Sequence, residues 1–153
     1  MSEPRGGRVV YTIGHSNRSL EEFHRLLSKY RVEVVVDVRR FPKSKKYPYF
    51  NRESLEESLR RLGVDYMWLG DLLGGYREGG YESYVKTAGY REGITRLIEV
   101  AGSGRIIAVM CSEKLWFKCH RRFIADTLVE EGFKVLHIID EDRVQEHKLK
   151  ATR

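Results

Sequence analysis

Both cysteines of the chain lie in the stretch VMCSEKLWFKCHRRF, residues 109–123, beside Glu113, His120, Arg121 and Arg122. Such a set could serve as a metal site, a thiol nucleophile, an anion-binding pocket, or merely the end of a buried strand. Spacing narrows the choice. Six residues past Cys111 stands Phe117, and six past Cys119 stands Ala125, so neither cysteine starts a phosphate-cradling Cys-x5-Arg loop. There is no Cys-x2-Cys knuckle. Adjacent Cys119 and His120 would point about 100° apart on a helix, which disfavours a shared zinc ion, so no metal ligand is assigned. Cys111 ends an apolar run and reads either as a small core residue or as a nucleophile. A helix is predicted over 117–131. Cys119 would fall in its first turn, where free N–H groups and the cations Arg121 and Arg122 favour a thiolate.

Other candidates follow the remaining apolar runs. His15 comes straight after Gly14 and could donate to a substrate oxyanion. Asp37 followed by Arg39 is either a buried ion pair that fixes a loop or a general base beside an anion-binding arginine. Glu113 is the alternative acid or base. The segment RRFPKSKKYPYF, residues 39–50, interleaves Arg39, Arg40, Lys43, Lys45 and Lys46 with Phe41, Tyr47, Tyr49 and Phe50. Cations meet phosphates and aromatics stack on bases, so this composition suits a nucleotide or single-stranded nucleic acid. A basic loop with aromatics tucked against the fold is the plainer reading. The tyrosines at 76, 81, 84 and 90 read as a second wall or as packing.

These residues must be positioned by alternating strands and helices. Strands are predicted at 9–13, in VEVVVDV, from Val64, in RIIAVM and in KVLHII. Between them, helical spacing appears at Leu20, Phe23, Leu26, Leu27 and Tyr30, with Ser19 and Glu22 as a capping box. A second helix runs over 51–62 and stops at Gly63. The glycine- and tyrosine-rich 70–90 region reads as a loop with a short helix near Glu82–Lys86, followed by a helix in REGITRLIEVAG. The pattern predicts a single three-layer α/β domain over 9–140, with a mostly parallel five-stranded sheet and helices on both faces. Residues 1–8 and 141–153 are expected to be tails. In such sheets ligands bind beyond the carboxyl ends of the strands. His15, Asp37, Cys111 and Glu113 all fall on that edge.

Composition sets the outer limits. The chain has 153 residues, 41% hydrophobic and 33% charged, which fits one globular domain. No apolar run reaches the roughly 20 residues of a membrane span, and residues 1–8 lack the core of a signal peptide. A cytoplasmic location and no membrane partner are therefore expected. Two cysteines are too few for a disulfide framework. Asn17, Asn51 and Gln145 are the only side-chain amides, a pattern pointing to a thermophilic source. The net charge of +6 suits anionic partners.

The blocks TIGHSNRSLEEF, DVRRFPKS, LGDLLGG, VMCSEK and CHRRFIADTL, followed by a later HI pair, stand in order from Tyr11 to Ile139. Together they resemble the "domain of unknown function" family four-eighty-eight. The resemblance implies a small α/β domain with its site among these blocks, and no settled activity. Such proteins often carry an Asp-Pro turn between the positions of Glu113 and Cys119, and here the segment is KLWFK. The leading expectation is an enzyme acting on a phosphate-bearing substrate, a nucleotide or nucleic acid first. Asp37, Glu113, Cys111, His15 and His120 are its candidate catalytic residues, and Arg39, Arg40, Lys43, Lys45, Arg121 and Cys119 its anion-binding set. No cofactor is called for. The alternatives are a nucleic-acid-binding or regulatory module and a Cys-dependent or zinc enzyme.

Overall fold

The computed structural model of the chain describes residues 8–149; most of the expected N-terminal tail and the last four residues lie outside them. Strands β1 (Val9–Gly14), β2 (Val34–Asp37), β3 (Asp65–Trp68), β4 (Ile107–Cys111), β5 (Lys134–Asp140) and β6 (Arg143–Glu146) form one sheet in the order β3-β2-β4-β1-β5-β6. The first five are parallel, and β6 pairs antiparallel with β5. The sheet thus has six strands, not the five expected. The sixth comes from the charged stretch after Asp140, whose burial shows no apolar alternation. It forms because β5 offers it an edge and a tight turn returns the chain.

The helices are α1 (Leu20–Lys29), α2 (Arg52–Leu62), the short α3 (Gly70–Leu73) and α4 (Tyr81–Tyr84), α5 (Ala88–Ala101) and α6 (Arg121–Glu130). Ser19 caps α1 by accepting from the Glu22 N–H, and Gly63 ends α2 in the left-handed region. Strand side chains alternate between faces. Val35 therefore joins Phe23, Leu26 and Leu27 of α1 and Leu55 and Leu59 of α2 in one core. Val34 and Val36 join Ile94 and Leu97 of α5 and Ile124 and Leu128 of α6 in the other. Each fully buried Leu or Ile contributes about 1.5–3 kcal/mol. No helix among the described residues is long and apolar enough to cross a membrane.

Cys111, at the end of β4, pairs in register with Gly14 of β1. Beyond the strands the ladder continues, with His15 N–H donating to Cys111 O at 2.9 Å and Ser16 N–H to Ser112 O at 2.9 Å. This closeness requires glycine at 14, since a Cβ there would stand 1.9 Å from the Glu113 carbonyl oxygen. Gly14→Ala is expected to cost about 1–3 kcal/mol, the range for overpacking. It should lower the urea midpoint at unchanged slope.

Candidate thiol and anion site

After β2 the chain turns to the α2 face, whereas after the neighbouring β4 it turns to the α6 face. A crevice opens where such exits diverge. Here it is a cavity of about 710 Å³ lined by residues that include Arg39, Arg40, Lys43, Cys111, Cys119 and His120. Phe41, Tyr76, Tyr81, Ser112, Glu113 and Lys118 also reach it. Four cationic side chains therefore face one carboxylate.

Cys111 Sγ and Cys119 Sγ lie 3.1 Å apart. The local backbone explains the meeting. Trp116–Lys118 makes a separate 3-10 turn, Cys119 is extended (φ −131°, ψ 153°), and α6 begins only at Arg121, after His120. The predicted helix over 117–131 is thus corrected: Cys119 precedes it. The Arg121 backbone N–H still donates to Cys119 Sγ at 3.4 Å, so the helix start reaches the sulfur from the next turn. Cys111 is 1% exposed and Cys119 is half-buried, so a reagent in the cavity meets Cys119 first.

The two thiols share their charge. Burial opposes ionisation of Cys111. The Cys119 S–H and the Arg121 cation outweigh it, bringing the Cys111 thiol down to about 7. Cys119 is pushed up because its S–H is engaged by Cys111 and because it is buried. The first proton therefore leaves the pair early and the second late. His120 Nε2–H donates to Val38 O at 3.0 Å, which leaves Nδ1 unprotonated 3.5 Å from Cys119 Sγ, whose one S–H is directed at Cys111. Burial lowers this imidazole to about 4, so it is neutral near pH 7.

Arg39 is 5% exposed and forks onto Asp37, with Nε to Oδ1 at 2.9 Å and Nη2 to Oδ2 at 2.8 Å. Its Nη1 is buried with no hydrogen-bond partner among the described residues, and a buried orphan donor calls for an explanation, a bound anion being one. Asp37 itself is fully buried. It accepts also from the Arg39 N–H at 3.0 Å and the Tyr66 hydroxyl at 2.6 Å, and it does not line the cavity. Of its two readings, the geometry is that of the buried ion pair fixing the loop. His15 is buried too, stacked on Phe50 at 4.4 Å and outside the cavity lining. Burial, then the Arg39 charge, lowers it to about 4. Glu113 is exposed at the rim, its Oε1 accepting from the Leu115 N–H at 3.3 Å.

The basic loop is more ordered than its composition suggests. Asn51 Oδ1 accepts from the Ser44 N–H, Ser44 Oγ from the Tyr47 N–H, and Phe50 sits in the core. Lys43 reaches the cavity and Lys45 does not. Phe41 (63% exposed) and Tyr76 (84%) stand together at the rim, centroids 5.9 Å apart, with Arg40 Nη1 donating to the Tyr76 carbonyl. Tyr81 forms wall, whereas buried Tyr90 is packing.

Arg121 does not line the cavity. Its Nη2 donates to Glu113 O at 2.9 Å and Lys114 O at 3.1 Å, holding the site loop, and its Nη1 donates to Thr12 Oγ1 at 3.1 Å. From Thr12 a buried line continues to His137 Nδ1 at 2.6 Å, from His137 Nε2 to His147 Nδ1 at 2.9 Å, and from His147 Nε2 to Asp126 at 2.6 Å. A guanidinium only donates, so one proton assignment satisfies every link: Thr12 donates to His137, His137 to His147, His147 to Asp126. Sequence reasoning singled out none of Thr12, Asp126, His137 and His147, nor Lys118. The available signal was a histidine inside the apolar run KVLHII.

No curated protein and no solved structure matched the chain. One family profile did, over residues 19–128, and that span holds the thiol pair, Arg39, the basic loop and Arg121. The chain belongs to the family described as domain of unknown function DUF488.

Proposed function

We propose that the protein is an enzyme that uses the Cys111–Cys119 pair on a phosphate-bearing substrate held in the cavity. The observation that carries this reading is the 3.1 Å contact between two thiols on the wall of a predominantly cationic cavity. Cys119 is the sulfur that meets the substrate, because it is the more accessible. Cys111 takes up its proton across the short contact. Arg39 Nη1, Arg40, Lys43 and Lys118 supply the anion-binding charge. Exposed Phe41 and Tyr76 give a planar ring somewhere to stack, which favours a nucleotide over a bare phosphate ester.

The test is protection against alkylation. Adenosine monophosphate should slow iodoacetamide labelling of Cys119 at lower concentration than inorganic phosphate does, and adenosine should protect least. Lys43→Ala and Lys118→Ala should weaken protection, and added salt should weaken it further. Labelling indifferent to all three compounds would sink the phosphate reading. A binding module without thiol chemistry would keep nucleotide affinity in the Cys111→Ser, Cys119→Ser double variant and would show no turnover in any thiol-dependent assay.

A further inference from the structure

We infer that Cys111 and Cys119 act as a two-electron dithiol that reduces anionic disulfides. This rests on the thiol-enzyme reading and names its chemistry. Two sulfurs 3.1 Å apart need to approach by only about 1 Å to reach bonding distance. The segment between them is a seven-residue loop with a 3-10 turn in it, able to absorb such a shift without moving β4 or α6. One thiol is accessible and the other lies behind it. That is the division of labour in which an outer sulfur attacks and an inner sulfur resolves.

The cycle balances as follows. Cys119 hands its proton to Cys111 and, as thiolate, attacks one sulfur of the substrate disulfide. The substrate S–S bond breaks, a mixed disulfide forms on Cys119, and the first leaving thiolate takes the proton from Cys111. The Cys111 thiolate then attacks Cys119 Sγ. The second substrate thiolate leaves and is protonated from solvent, and the Cys111–Cys119 disulfide remains. Two electrons have passed to the substrate, which departs as two thiols. A separate dithiol returns the protein to its reduced form by the reverse exchange.

The cavity adds a preference among disulfides. Arg39, Arg40, Lys43 and Lys118 attract anionic ones and repel cationic ones. Neutral His120 adds no charge of its own, and its Nδ1 lies 3.5 Å from Cys119 Sγ.

The experiment equilibrates the reduced full-length chain in glutathione redox buffers, quenches in acid, and counts free thiols by mass spectrometry. The unsubstituted protein should lose both thiols together, with no glutathione left attached. Cys111→Ser should stop with one glutathione on Cys119. With dithiothreitol as terminal reductant, coenzyme A disulfide and glutathione disulfide should turn over at least about tenfold faster than cystamine. Two free thiols at the most oxidising poise would overturn the inference, as would glutathione accumulating on the unsubstituted chain. Neither of those outcomes depends on a variant folding. If the thiols never pair yet nucleotides still shield Cys119, the redox step falls and the phosphate reading stands. If they pair and nucleotides do not shield, the reverse holds.

Discussion

Asp37→Ala is expected to destabilise the protein by about 3–5 kcal/mol, the cost of leaving one member of a buried ion pair alone. The fully buried carboxylate accepts from the Arg39 N–H, Nε and Nη2 and from the Tyr66 hydroxyl. Its removal strands the Arg39 cation at 5% exposure and unties the Tyr66 hydroxyl. At about 2–4 °C per kcal/mol for a domain of this size, the melting temperature should fall by roughly 6–20 °C. Scanning calorimetry reads that directly. Asp37→Asn keeps the shape and should lose less. If Asp37 were instead a general base, Asp37→Asn would abolish turnover with the melting temperature unchanged, and that result would remove the structural assignment.

The second large effect concerns reactivity. Iodoacetamide labelling of Cys119 should follow the first ionisation of the thiol pair, with an inflection near about 7. The sign follows from which form reacts. Above the inflection the pair carries one negative charge and labelling is at its plateau. Below it both sulfurs are protonated and the rate drops about tenfold per pH unit. Cys111→Ser deletes the sulfur that shares the charge, so labelling at pH 7 should slow roughly 10- to 100-fold as Cys119 reverts towards or above an ordinary thiol. A profile inflecting above pH 9 in the unsubstituted chain would contradict the shared charge. The depressed first ionisation makes stability rise from pH about 7 towards the ordinary thiol range, and above that range the raised second ionisation takes the gain away again.

What could be read from residue order alone follows the range of the forces involved. The parallel strands were legible because VEVVVDV and RIIAVM are apolar on both faces, which only a covered sheet satisfies. Helices α1 and α2 announce themselves by Ser19, Gly63 and the spacing of their leucines. Strand β6 was not legible, since RVQE pairs only because β5 lies beside it. The thiol contact was hidden for a related reason. Seven residues separate Cys111 from Cys119, and no local rule says how a loop of that length folds back. Asp37 was visible as a titratable group at a strand end, but which of its two readings applies depends on where the Arg39 guanidinium lies.

The line from Arg121 through Thr12, His137 and His147 to Asp126 has a bearing on how this chain divides its labour. The family match ends at residue 128 and begins at 19. The sulfurs and the arginines are inside it, whereas Thr12, His137 and His147 are outside, as are β1, β5 and β6. A peptide trimmed to the matched span would keep every reactive atom of the site. It would also bare the β4 edge that β1 covers and take the Thr12 acceptor from Arg121 Nη1. Reagents and vise come from different stretches of one chain, so the flanks outside the matched span set the aim of the groups within it.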